Sequence, residues 1–161
     1  MELDLTRHVA ADPDTVWAVL TDIPEAHRTL SGVLAVEILT SGPYQPGLRW
    51  RETRKMFGMK ATEEMMVLAV EPPHSTTIVA ESGGTEYKTV FTITPDADGG
   101  STLRMRFGAH TAHAPAVSRV VMSVMGRFAE RSTRRTMEQD LADIAAEAER
   151  RAGGTPPASG R

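Results

Sequence analysis

Between Val33 and Ala112 the chain is cut at close intervals by turn clusters, SGPYQPG, FGMK, EPPH, ESGGT and PDADGG, and the segments between them read as strands. Such spacing suits an antiparallel meander, and six strands fit there. After Pro115 the pattern becomes helical and continues to about Arg151. Ahead of the meander, Leu3, Leu5 and Val9 fall on one parity of an extended segment. Asp12 or Asp14 beside Pro13 then supplies an N-cap for a short helix carrying Val16, Trp17, Val19 and Leu20. Pro24 breaks that helix, and EAHRTL gives a second short helical turn ending by Gly32. The expected architecture is α+β: a curved antiparallel sheet of about seven strands around one long C-terminal helix, with two short helices between strands 1 and 2.

With 161 residues, 40% of them hydrophobic, the chain can build one core of its own. We expect one domain over residues 1–151 and a disordered tail over 152–161, because GGTPPASGR has neither apolar content nor periodicity. The absence of cysteine excludes disulfides, a thiolate nucleophile and any zinc site that needs Cys. A net charge of −3, with Arg and Glu interleaved, provides no basic field for a polyanion, so nucleic acid is not an expected partner. MELDLTRHVAADPD has no apolar run of signal-peptide length, and no later segment approaches a membrane span. The expected location is the cytoplasm.

The direction of the side chains follows from register. Taking Gly58-Met59 as a two-residue hairpin loop places Trp50 opposite Val67, Glu52 opposite Met65, Arg54 opposite Glu63 and Met56 opposite Ala61. Turns at Gly83-Gly84 and PDADGG align Ile78 and Ala80 with Thr89 and Tyr87, and Ile93 and Phe91 with Leu103 and Met105. The inner face is then mostly apolar, with Arg7, Glu52, Arg54, Glu63, Tyr87 and Thr89 as its polar members. Small residues at Ala61, Ala69, Ala80 and Thr89 interrupt the large ones, which points to an enclosed cavity. An apolar wall with a few polar groups is the chemistry of a small-molecule pocket. Its expected ligand-binding residues are Trp50, Glu52, Arg54, Glu63, Met65, Tyr87, Thr89, Phe91, Met105 and Phe107 from the sheet, and Val121, Val124, Met125 and Phe128 from the helix. A plainer reading makes Arg54 and Glu63 a cross-strand ion pair that draws in Glu52, all three reaching water. Buried instead, a carboxylate gains a raised pKa and suits proton transfer, with Glu52 and Tyr87 as the catalytic candidates.

In the long helix, Val117, Val120, Val121, Val124 and Phe128 share one stripe, whereas Met137, Leu141 and Ile144 lie on nearly the opposite side. One straight helix cannot bury both against one sheet. A bend, a break or a change of partner is therefore expected in AERSTRRT, residues 129–136, or else one stripe meets a second subunit, which leaves a homodimer open. Among His8, His27, His74, His110 and His113 only His110 and His113 are close in sequence, so no metal site is expected. The chain has no GxSxG, Walker-type loop or GxGxxG, and no cofactor is implied.

The stretches ADPDTVWAVLTDIPEAHR, GLRWRETRKMFG and ATEEMMVLAVEPP resemble the polyketide cyclase/dehydrase and lipid-transport family of the START-like, birch-allergen-like helix-grip (SRPBCC) superfamily. The resemblance spans about Leu3 to Ala148 and implies a cavity between sheet and C-terminal helix. Family members use it to carry lipids, bind hormones or pigments, or fold and dehydrate polyketide chains. The family has no invariant catalytic motif, so the resemblance transfers a fold and not an activity. Two functions lead, ahead of a third, a regulatory or assembly role in which the exposed part of the helix binds a partner. One is binding of a small hydrophobic molecule such as a lipid, polyketide or isoprenoid. The other is a cyclase or dehydratase, with Glu52 or Tyr87 exchanging protons while Arg54 steadies an enolate or carboxylate.

Overall fold

The computed structural model describes residues 1–56, 58–111 and 119–154; the side chains of Met56 and of residues 119–125 are outside that description. Strand β1 (Glu2–Val9) leads to helix α1 (Pro13–Leu20), a 3-10 turn at Ile23–Glu25 and the single-turn helix α2 (Ala26–Thr29). Six strands follow, β2 (Val33–Ile38), β3 (Arg49–Met56), β4 (Met59–Glu71), β5 (Ser75–Ser82), β6 (Thr85–Pro95) and β7 (Ser101–Thr111), and then the 35-residue helix α3 (Arg119–Gly153). They form one antiparallel sheet in the order β1-β7-β6-β5-β4-β3-β2, so the first strand closes beside the last.

Local chemistry sets the boundaries. Asp12 caps α1 by accepting the Thr15 amide at 2.7 Å, with Pro13 preorganised in the first turn. Gly83 and Gly84 both take positive φ, as the tight turn between Ser82 and Thr85 requires, which fixes Ile78 against Thr89 and Ala80 against Tyr87 as expected. Ile93 and Phe91 likewise pair with Leu103 and Met105.

The β3–β4 hairpin differs from expectation. Its last pair is Met56 and Met59, so the loop is 57–58, with Gly58 at φ 75°. Trp50 therefore faces Met65, Glu52 faces Glu63 and Arg54 faces Ala61. Moving the loop by one residue shifts each partner by two, which changes neighbours but not faces. Further along β4 a bulge between Val67 and Ala69 flips the alternation, leaving Ala69 exposed rather than facing inward. Arg7 is also exposed, on the edge strand β1.

The core lies between the sheet and the second half of α3. Met137, Leu141, Ile144, Ala145 and Ala148 are buried at helical spacing, against Leu3, Val9, Val16, Val67, Ile93 and Leu103. Burying each large aliphatic side chain contributes about 1.5–3 kcal/mol. Residues 129–136 do not break the helix, and the Thr133 and Thr136 hydroxyls donate to the carbonyls of Ala129 and Ser132 one turn back. Of the two stripes, the later one is buried against the sheet. Phe128, from the earlier stripe, is 69% exposed, and the rest of that stripe lies outside the described side chains.

Candidate functional site

A cavity of about 400 Å³ lies between the inner face of the sheet, the α1–α2 segment and α3. The sheet supplies Trp50, Glu52 and Arg54 from β3, Ala61, Glu63 and Met65 from β4, and Ile78 and Ala80 from β5. Tyr87, Thr89 and Phe91 of β6 and Met105, Phe107 and Ala109 of β7 complete that wall. Val19, Leu20, Ile23, Ala26 and Leu30 close one side, and Ala129, Thr133, Thr136, Met137, Asp140 and Ile144 of α3 close another. Space exists because Ala61, Ala80 and Thr89 stand where larger side chains would fill it. The Tyr87 ring stacks on Phe107 with centroids 6.0 Å apart, which makes it part of the aromatic wall.

All ten sheet residues expected from the sequence line this cavity. Phe128 does not: it is exposed, because the helix turns its later stripe to the sheet. Val121, Val124 and Met125 lie outside the described side chains. Asp140 was missed, although its spacing from Met137 and Ile144 puts it on the buried stripe; an acidic residue at such a position is the signal that could have found it.

One polar cluster interrupts the apolar lining. Arg54 donates from Nε to Glu52 Oε1 at 2.5 Å and from Nη1 to Asp140 Oδ1 at 3.2 Å, while Nη2 forms an ion pair with Asp140 Oδ2 at 2.9 Å. Trp50 Nε1 donates to the other Glu52 oxygen at 3.3 Å. Glu52 and Asp140 are only 8% and 6% exposed. Arg54 thus bonds along its own strand and across to the helix, not to Glu63, because the actual register sets it opposite Ala61. Burial works against the Arg54 charge, but Asp140 and Glu52 outweigh it and hold the guanidinium pKa above its usual value. Burial pushes the Asp140 carboxyl up, with Arg54 opposing and Glu52 and Asp143 reinforcing the shift.

Glu63 stands directly across from Glu52. Burial raises its pKa, the Glu52 charge adds to that, and Arg54 opposes it. None of the described residues donates a hydrogen bond to its carboxyl.

Tyr44 packs against the core and was not singled out from sequence. Its ring meets Trp17 edge-on and its hydroxyl shares a 2.8 Å hydrogen bond with Thr76, while burial pushes its pKa up to about 12. Among the described residues, one trio could reach a common metal ion, His8, Asp96 and Asp98 on the surface. The two His8 ring nitrogens face different carboxylates, at 2.8 and 3.4 Å, an arrangement that pins the 96–100 turn to β1. His110 is exposed and His113 lies outside the described residues.

The match to the family described as polyketide cyclase/dehydrase and lipid transport runs over residues 1–149. The chain belongs to that family. By sequence, no curated protein matches it. In structure it is similar to the ZhuI aromatase/cyclase from Streptomyces sp. R1128, with a TM-score of 0.80 at 21% identity over 96% of this chain and 99% of that one. It is also similar to the protein TTHA0849 from Thermus thermophilus, with a TM-score of 0.76 at 13% identity over 92% and 97% of the two chains. A START superfamily protein from Mycobacterium smegmatis matches with a TM-score of 0.63 at 15% identity over 94% and 96%. At such identities the likeness carries the fold. Family membership adds the general expectation of a small hydrophobic ligand. Among the described residues no helix is long and apolar enough to cross a membrane.

Proposed function

We propose that the chain binds a single small hydrophobic molecule, of lipid, polyketide or isoprenoid type, in the cavity between the sheet and α3. The observation that carries this reading is a chamber of about 400 Å³ with an apolar wall and one charged cluster. The wall supplies affinity by burying apolar surface, and the cluster fixes orientation. Native mass spectrometry of the purified protein, followed by extraction of anything bound, tests it. A copurified apolar molecule is expected. An empty protein that shows no thermal shift with a broad panel of apolar compounds would remove the reading.

A second reading, a cyclase or dehydratase acting on a polyketide-like substrate, is favoured by one observation: Glu63 is a partly buried carboxyl with a raised pKa and no hydrogen-bond donor among the described residues. Such a group can take a proton beside a carbonyl or give one to a departing hydroxyl. Glu52 already accepts from Arg54 and Trp50, and Tyr87 is stacked in the wall. Under this reading Glu63→Gln abolishes most turnover of a poly-β-keto substrate while ligand affinity persists, and Glu52→Gln disturbs the Arg54 cluster as well as the rate. Full turnover in both variants would leave only the binding function.

A further inference from the structure

The cavity is unequal in charge. Three carboxyl groups, from Glu52, Glu63 and Asp140, line it beside one guanidinium, that of Arg54, and no Lys or His is among the described lining residues; the other cation on a lining residue is the Met1 ammonium, which is exposed and donates to the Ala109 carbonyl at 3.1 Å. A fourth acid, Asp22, also lines it and is 3.8 Å from Arg151. An arginine in an apolar chamber is the usual anchor for a carboxylate or phosphate. Here that role is already filled from inside, since Glu52 takes its Nε and Asp140 takes both terminal nitrogens.

We infer that the cavity rejects anionic ligands, and that its occupant is an apolar molecule whose polar end is uncharged or cationic. This rests on the binding function proposed above and narrows it. An incoming carboxylate would meet a guanidinium whose charge Glu52 and Asp140 already offset, adding a further buried negative charge beside those two acids, or would lie next to the like-charged Glu63. An alcohol or ketone meets neither cost, because the guanidinium has N–H donors beyond those its two partners take, and Glu63 offers oxygens. An ammonium group gains the Glu63 carboxylate as a counter-charge. Free fatty acids are thus poor candidates, and long-chain alcohols, ketones or amines are good ones.

The test uses the whole chain at neutral pH, with N-phenyl-1-naphthylamine, an uncharged dye that brightens in apolar surroundings, as reporter. Decylammonium, 1-decanol and decanoate, which share one alkyl length, compete for it. Decylammonium and decanol are expected to displace the dye at concentrations about tenfold or more below that needed for decanoate. Comparing the two ions holds the general cost of burying a charge nearly constant and leaves its sign as the variable. Decanoate equal to or better than decylammonium overturns the inference and leaves the cavity reading standing. A dye that neither brightens nor is displaced overturns the cavity reading and this inference with it. In Glu63→Gln the preference for decylammonium over decanoate should narrow by about threefold or more. An unchanged ratio in a variant that still binds the dye overturns the assignment to these charges. Should that variant fail to fold, the order of the three competitors on the native chain decides alone.

Discussion

Strands β3 and β7 stand two places either side of the middle strand β5, and both alternate without a bulge along their pairing with the strand on the β5 side. Their inner faces could hardly differ more. Leu103, Met105 and Phe107 look inward from β7, whereas Trp50, Glu52 and Arg54 look inward from β3. Alternation decides which residues point into the sheet's concave side but not whether that side is dry. The β7 wall needs only apolar neighbours, which most of the interior supplies. The β3 wall is tenable because α3 brings Asp140 to Arg54, closing a cluster in which every buried polar side-chain atom has a partner among the described residues. Under the proposed binding function, the β7 side supplies affinity and the β3 side discriminates between ligands.

Breaking the β3 wall should have the largest effect. Arg54→Met leaves Glu52 and Asp140 buried without their cation, and the expected loss is about 3–5 kcal/mol by urea denaturation. A loss under about 1 kcal/mol would mean that water already screens the cluster. Breaking the β7 wall comes next. Leu103 is 0% exposed, and Leu103→Ala should cost about 3 kcal/mol from lost burial and the void it leaves. A near-neutral result would show that the neighbouring chamber lets the core collapse onto the gap.

The comparison is sharpened by turning one wall into the other. Adding Asp140→Leu to Arg54→Met removes one of the two stranded acids and should recover about 1–2 kcal/mol of the single variant's loss. If the double variant is as unstable as the sum of its parts, the two residues do not act as a unit.

The smallest effect is one of pH. The Glu63 pKa is raised in the folded protein, so the native state holds this proton more tightly than the unfolded chain does. Stability from this group is therefore present below its ordinary value of 4.5 and is lost as pH rises through the folded pKa. Glu63→Gln should remove that loss, so the variant gains on the native protein between acidic and neutral pH. Denaturation curves at several pH values check the sign, and a variant that loses ground as pH rises would contradict the burial of Glu63.

The order of elements, the single sheet and the ten sheet residues around the cavity could all be read from the sequence, because they depend on period-two alternation and on turn residues such as Gly83-Gly84 that act locally. Even the misplaced β3–β4 loop left the faces intact, since an error of two residues in pairing preserves parity. Other features depended on contacts between segments far apart in the chain. The pairing of Arg54 with Asp140 joins residues 86 positions apart, and no local pattern records it. The bulge that turns Ala69 outward left no turn residue to mark it. The two stripes of the long helix were visible in the sequence, but the burial of the later one was settled only by packing, where Met137, Leu141 and Ile144 meet a core built by β1, α1 and β7.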